Sequence, residues 1–298
     1  MKQLTIISGK GGTGKTTITA AFASLAENAV LADCDVDAPD LHLILKPDIK
    51  ETVEFSGLKI AAIDKEKCID CGKCTDYCRF EAIDEDFNVV NERCEGCGVC
   101  EYVCPFNAIH LVDRKSGFAY LSETRFGPMS HAVLNTAEEA SGKLITLVRN
   151  NARVLANKSN KDLIIIDGPP GIGCPVISAI SGVNLVLIVT EPTLSGIHDM
   201  ERILGVASHF KVPAVVCINK FDINPGNTRL IEKYCAENGL DVVGRIPYDE
   251  TATMAMIQEM TVVEFSENEF SNNVKKIWEN INYYTGKCSE NVTINGDY

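Results

Sequence analysis

The chain has 298 residues, 45% of them hydrophobic, 13 cysteines, and a formal net charge of −13 from 28 basic and 41 acidic side chains; that length accommodates a full α/β core plus a small extra domain of about fifty residues. An acidic chain without a Lys/Arg-rich run, and with no apolar run of membrane-spanning length, is expected to have neither nucleic acid nor a membrane as its partner. Residues 1–8 lack the basic start and long apolar stretch of a signal peptide, so a cytoplasmic location is expected, where cysteines argue for metal or thiol chemistry over disulfides.

Gln3 to Ser8 predicts a strand, which runs into Gly9-Lys10-Gly11-Gly12-Thr13-Gly14-Lys15-Thr16 and then an alanine-rich helix to about Glu27. Strand, loop and helix together fit G-x4-G-K-[ST], a phosphate loop. Glycines at 9, 11, 12 and 14 let backbone N–H groups turn toward phosphate oxygens. Lys15 is expected to neutralise the β and γ phosphates and Thr16 to ligate Mg2+, with Thr13 and Thr17 in the same nucleotide-binding stretch. The next predicted strand, Ala29 to Asp33, ends in Asp33-Cys34-Asp35. Asp35 is expected to orient an attacking water and Asp33 to hold magnesium-bound water, while Asp37 and Asp40 read as surface or helix-cap residues.

Residues 51–63 and 117–124 predict short strands, a hairpin stalk for the segment between them. That segment contains Cys68-x2-Cys71-x2-Cys74-x3-Cys78 and Cys94-x2-Cys97-x2-Cys100-x3-Cys104. This is the spacing of a two-cluster ferredoxin, in which three cysteines hold one 4Fe-4S cluster and the fourth crosses to the other. One cluster should take Cys68, Cys71, Cys74 and Cys104, and the second Cys94, Cys97, Cys100 and Cys78. Zinc is the alternative, but four evenly spaced cysteines per run exceed the ligands of one closed tetrahedral site. Pro105 follows the second run where Arg79 follows the first, a change of turn and not of ligand. Residues 66–112 carry ten acidic and four basic side chains, which suits either a solvated face or docking to a basic redox partner.

Further buried strands are expected at Leu163 to Asp167, Val183 to Thr190, Ala214 to Asn219 and Val242 to Ile246, with helices near 141–157, 196–209, 227–238, 250–258 and 267–284. This alternation predicts an α/β fold with a doubly wound, mostly parallel sheet, interrupted by an inserted α+β domain. Asp167-Gly168-Pro169-Pro170-Gly171 places an acid at a strand end, the usual second magnesium anchor, before a stiff switch. Cys174 stands ahead of Pro175, in the position of a helix cap. Cys34, Cys217 and Cys235 read as core or surface thiols. Asn219-Lys220-Phe221-Asp222 is similar to the N-K-x-D guanine-reading motif and raises GTP as a rival substrate. Val274, Ile277, Trp278, Ile281 and Tyr284 recur at helical spacing and are expected to pack on the core.

Lys10, a second lysine in the loop, together with Asp33, Asp35 and the D-x-P-P-G run, resembles the deviant phosphate-loop family of MinD, Mrp and the nitrogenase iron protein. With its eight-cysteine insert the chain resembles, over residues 1 to about 285, the ATPases of that superfamily with an inserted ferredoxin domain. The resemblance implies ATP sandwiched in a nucleotide-dependent homodimer, Lys10 reaching the neighbour's phosphates, Asn219 contacting adenine, and Pro247-Tyr248-Asp249 supplying backbone around the base. The implied division is an ATPase domain in two parts, 1–62 and 114–285, an inserted ferredoxin-like domain at 63–113, and a frayed tail at 286–298.

Three functions are compatible with these motifs. The first is an ATP-gated dimer coupling nucleotide state to low-potential electron transfer, with Lys10, Lys15, Asp35 and Asp167 as its catalytic set. The second is an iron-sulfur or metallocofactor assembly carrier, although the C-terminal C-x-x-C pair of Mrp-like carriers is absent. The third is a MinD-like positioning switch, against which the lack of a basic membrane helix counts.

Overall fold

The protein is described here from a computed structural model covering residues 1–135 and 141–290, with side chains through residue 285. Among the described residues nine strands form: β1 (Lys2–Ser8), β2 (Ala29–Asp33), β3 (Asp48–Ile63), β4 (Ile109–Thr124), β5 (Gly127–Leu134), β6 (Leu163–Pro170), β7 (Leu185–Thr190), β8 (Ala214–Asn219) and β9 (Val242–Ile246). The helices are α1 (Lys15–Leu25), α2 (Leu41–Leu45), α3 (Lys73–Tyr77), α4 (Val99–Val103), α5 (Ser141–Lys158), α6 (Cys174–Ile180), α7 (Leu194–His209), α8 (Pro225–Glu237), α9 (Thr251–Ile257), α10 (Val262–Phe265) and α11 (Glu269–Glu290). The chain divides into two units: Met1–Thr52, Ala119–Val133 and the chain from Ser141 onward form one, and Val53–Phe118 with the residues from Leu134 form the other.

In the first unit the strand order is β5-β2-β6-β1-β7-β8-β9, and the pairs β5·β2, β2·β6, β6·β1, β1·β7, β7·β8 and β8·β9 are all parallel. Runs such as Leu-Val-Leu-Ile-Val-Thr in β7 are buried at every position, as strands covered by helices on both faces must be. Because β1 is central and its neighbours β6 and β7 lead to opposite edges, the sheet switches direction beside it. Ligands of such sheets bind at the carboxyl ends of the strands near that point. Asp33 and Asp167 are register partners there, and Asp167 also pairs with Ile6.

The apolar stripe of α11 is buried at Val274, Ile277, Trp278 and Ile281, and the Trp278 ring lies 4.9 Å from that of Phe22 on α1. This helix runs to Glu290, past the end expected near 284; of the tail expected at 286–298, residues 291–298 lie outside the described residues. Among the described residues no helix is long and apolar enough to cross a membrane. One further expectation is corrected. The cap of α6 is Gly173, with Cys174 as an exposed first helical residue, so Cys174 is not the cap. Asp37 and Asp40 are exposed, and Asp40 stands at the cap position of α2 without a side-chain capping bond.

In the second unit β3 and β4 are neighbours, and α3 packs on α4. Each of these one-turn helices follows a left-handed glycine, Gly72 or Gly98. At Gly96, φ is 60° and an added Cβ would lie 2.1 Å from the Lys59 carbonyl oxygen; only glycine allows this cysteine loop to lie so close to β3. The core of this unit is small: Ala61, Cys74, Ile83 and Ile109 are buried, with Cys94, Cys100 and Cys104 packed around them.

Candidate functional sites

In the first unit the loop after β1 turns through left-handed Gly12 and Gly14 before α1 starts at Lys15. A Cβ on Gly14 would lie 2.3 Å from Asn219 Nδ2, so glycine is required both for the turn and for the approach of the β8 end. Lys15 Nζ lies 3.0 Å from Asp167 Oδ1 and 3.4 Å from Asp35 Oδ2. The Thr16 hydroxyl donates to Asp167 Oδ2 and the Thr19 hydroxyl to Asp167 Oδ1, both at 2.8 Å. Thr19 was not singled out from sequence, yet it sits one helical turn from Lys15, where an i, i+4 neighbour must face the same site.

Burial alone would lower the Lys15 pKa, but the charges of Asp167, Asp35 and Asp33 outweigh it and hold the ammonium above its ordinary value. Burial pushes the Asp35 carboxyl up, Lys15 pulls it back, and Asp167 adds to the rise. Asp33 is fully buried, and burial followed by the charge of Asp167 raises it well above the carboxylate range. Its oxygens accept the backbone N–H groups of Asp35, at 3.0 Å, and Leu41, at 3.3 Å. Asp33 therefore closes the turn that aims Asp35. Asp33 is thereby engaged with backbone, and the oxygens next to the Lys15 ammonium are those of Asp167, Asp35 and the Thr16 hydroxyl, donors of the type a hard divalent cation such as Mg2+ takes.

Beside this loop, Thr17, Gly12, Gly14, Asn219, Lys220, Pro247, Tyr248 and Asp249 line one cavity, closed by Ala252, Met256 and Phe270. The residues expected around the base are thus brought together. Asn219 Nδ2 donates to the Thr13 carbonyl at 2.7 Å, and its Oδ1 accepts from Lys220 N at 3.0 Å. Asp222 is not among the lining residues; its Oδ1 accepts the Tyr248 N–H at 2.7 Å. One oxygen of the Asp222 carboxylate thus braces the β9 turn, and the residue stands outside the cavity lining.

Lys10 forms an ion pair with Glu191, the residue after β7, and its Nζ lies 3.4 Å from Ser195 Oγ. Glu191 went unnoticed in the sequence, although it carries the signal that identified Asp167, an acid ending an apolar strand.

In the second unit the eight cysteines sort into two cavities. One is lined by Cys78, Cys94, Cys97 and Cys100 with Phe80, Ile83 and Leu111, the other by Cys68, Cys71, Cys74 and Cys104 with Ile69, Phe106 and Ile109. Each run therefore sends its fourth cysteine to the cavity of the other. The two crossing thiols have matching surroundings: Ala82 N–H donates to Cys78 Sγ and Ala108 N–H to Cys104 Sγ, each at 3.4 Å. Burial raises Cys74 and pushes Cys100 up to about 11, so these thiols ionise only with a cation to offset the charge. Among the described residues no three Cys, His, Asp or Glu side chains gather as the shell of a single metal ion. Four thiols spread around an apolar hollow fit a larger polynuclear group better than one zinc.

Residues 4–262 match the model of the CobQ/CobB/MinD/ParA nucleotide binding domain. The chain is 36% identical over 282 residues to an uncharacterized protein of Methanocaldococcus jannaschii, covering 94% of this chain and 96% of that one. It is 23% identical to a protein of Pyrococcus horikoshii named iron-sulfur cluster carrier protein, over 85% of this chain and 76% of that one. Its fold is similar to the septum site-determining protein MinD of Pyrococcus horikoshii, solved with Mg-ADP, at a TM-score of 0.58 and 18% identity over 96% and 98% of the two chains.

Proposed function

Because the chain belongs to the CobQ/CobB/MinD/ParA nucleotide-binding family, we propose that it is a magnesium-dependent ATPase with two 4Fe-4S clusters in its second unit, and that nucleotide gates a homodimer delivering low-potential electrons to a protein partner. The observation that carries this reading is the sorting of eight cysteines into two cavities of four. Cys68, Cys71, Cys74 and Cys104 hold one cluster, and Cys78, Cys94, Cys97 and Cys100 the other. When bound, such clusters supply one-electron storage. The chain's own contribution is the N–H groups of Ala82 and Ala108, which offset charge on the two crossing sulfurs.

At the phosphate loop, Lys15 and the neighbour's Lys10 offset charge that develops on the transferred phosphoryl group, Thr16 and Asp167 hold Mg2+, and Asp35 positions the attacking water. ATP is favoured over GTP because Asp222 is engaged with Tyr248 N–H. In a competition assay ATP should win, and Asp222→Ala should weaken both nucleotides alike through the loosened turn. A GTP preference that Asp222→Ala abolishes would restore guanine reading.

The test of the whole reading is an anaerobic redox titration with ADP and with a non-hydrolysable ATP analogue. A one-electron midpoint shift of about 59 mV corresponds to a tenfold change in relative nucleotide affinity between oxidised and reduced protein. Identical midpoints, with equal ATP affinity in both redox states, would leave an ATPase that carries its clusters passively. The assembly-carrier reading draws support from the relative named as an iron-sulfur cluster carrier. It requires cluster transfer to an apo-acceptor on ATP hydrolysis, whereas electron delivery leaves iron and sulfide bound through repeated turnover.

A further inference from the structure

The loop lysine that the proposed dimer needs on its neighbour's phosphates is occupied within its own chain. Lys10 Nζ pairs with Glu191 Oε1 and lies within reach of Ser195 Oγ. The Glu191 side chain is only 12% exposed, against 38% for Lys10. A carboxylate that far out of water needs a counter-charge, and this one has two. Its Oε2 lies 3.3 Å from Lys220 Nζ, which also donates to the Gly12 carbonyl at 3.0 Å. One carboxylate thus joins the ends of β7 and β8 to the phosphate loop after β1.

We propose that Glu191 is a positioning residue that holds Lys10 in the nucleotide-free subunit and yields it to the neighbour's phosphates on ATP binding. This rests on the reading that Lys10 acts across the dimer. The second lysine makes the arrangement releasable. Removing the sole partner of a buried charge strands that charge, but when Lys10 departs, Lys220 remains on the other oxygen of Glu191. Lys220 continues to brace Gly12, so the loop keeps its shape while Lys10 swings out. Burial raises the Glu191 pKa, but the hydrogen bonds from Lys10 and Lys220 outweigh it and keep the carboxyl below its ordinary value, and so ionised at neutral pH. While Lys10 is held, only a fraction of subunits is competent to assemble, and apparent affinity falls by that fraction. Loss of the γ phosphate returns Lys10 to Glu191, which favours separation.

Two measurements test this on the full chain. Amine acylation followed by mass spectrometry should find Lys10 protected in the nucleotide-free wild type. In Glu191→Gln, Lys10 should react about tenfold faster while surface lysines other than Lys220, the second partner of Glu191, are unchanged. Sedimentation over a range of ATP, in an Asp35→Ala background to block hydrolysis, should show Glu191→Gln assembling at about one tenth of the ATP concentration, on the same fractional-competence argument. ADP affinity of the monomer should change little. Adding Lys10→Ala should erase the gain, and Lys220→Met, which leaves the Lys10–Glu191 pair intact, should not reproduce it. If Glu191→Gln does not fold, Glu191→Asp, which keeps the charge but shortens the reach, should give the same changes in smaller measure. Unchanged Lys10 reactivity would overturn the proposal, as would weaker assembly with intact ADP binding, which would make Glu191 an interface residue. Failure of every variant and of the wild type to dimerise would sink the ATP-dimer reading, with labelling still reporting whether Glu191 holds Lys10.

Discussion

Protein prepared without oxygen will contain iron and sulfide for two 4Fe-4S clusters, and Cys78→Ser will damage the cluster associated with Cys94, Cys97 and Cys100. This expectation separates spatial from sequential ligation. Cys78 belongs to the first run, so if each run bound its own metal the substitution would harm the site of Cys68, Cys71 and Cys74. Cys78 instead lines the cavity of the second run. Iron and sulfide should fall to about half, and the paramagnetic resonance of the reduced protein should change from two interacting clusters to one. Removal of iron by a chelator should have a larger effect. Among the described residues the core cluster of the second unit has only four buried members, Ala61, Cys74, Ile83 and Ile109, with Ile63, Phe87, Val89, Leu111 and three further cysteines packed around them. A domain below roughly 70–80 residues rarely supports itself on so small a core without a metal or disulfides. Amides of α3, α4, β3 from Val53 onward and β4 as far as Phe118 should then exchange freely, while the first unit, with its own extensive core, retains ADP binding. One zinc with no sulfide in the isolated protein would end the ferredoxin reading.

Elements of the first unit were legible in proportion to how strongly their own side chains specified them. Strands β2, β8 and β9 were placed to the residue, β2 and β8 because each is an apolar run ended by Asp33 or Asn219, whereas β9 carries Gly244 and Arg245 within its span; Asp167 followed from its apolar run, although β6 continues through Pro170, past the end expected at Asp167. β5 was missed because its run, Gly-Pro-Met-Ser-His-Ala-Val-Leu, contains Pro128, Ser130 and His131 among its apolar residues. Its membership in the sheet comes from pairing with β2, where Met129, Ser130 and His131 stand opposite Leu31, Ala32 and Asp33. That partner lies far off in sequence. The helices α2 and α10 are too short, at five and four residues, for helical periodicity to register, and α6 was signalled only by Pro175 at its start. In α10 only the local signal remains, a capping box between Thr261 and Glu264.

The candidate site divides in the same way. Residue types and spacing place Lys15, Thr16 and the two cysteine runs. They do not show which partner a charged group takes, because partners come from other strand ends. Lys10 meets Glu191 across 181 positions of sequence, and Asp222 meets Tyr248 N–H through the return of β9. A sequence reader sees Asn219-Lys220-Phe221-Asp222 as a base-reading motif; in the fold Asn219 and Lys220 brace Thr13 and Gly12 of the phosphate loop.

Lys15→Ala will abolish tight nucleotide binding, and Asp35→Ala will leave binding intact while stopping turnover. The ammonium of Lys15 is buried among Asp35, Asp167 and Asp33, which already hold it in its charged form. Removing it takes away a charge-assisted hydrogen bond to phosphate, worth about 1.5–3 kcal/mol. It also leaves acidic groups facing a polyanion without their counter-charge, so a loss of at least about 100-fold in affinity is expected. Lys15→Arg should not restore binding, because the ammonium is a buried point charge held between Asp167 and Asp35, a role for which a planar fork is not interchangeable. Asp35 is the opposite case. Its carboxylate lies 3.4 Å from Lys15 and repels phosphate in the ground state, so its loss does not weaken ATP binding. The water it would orient is then unguided, and turnover should drop by roughly 10²–10⁴. Calorimetry with ADP and a single-turnover assay of phosphate release separate the two roles. Were Asp35→Ala to lose ATP binding as severely as Lys15→Ala, Asp35 would be a structural prop of the loop and the attacking water would need another guide; retained binding with ATP trapped on the protein assigns Asp35 to the chemical step.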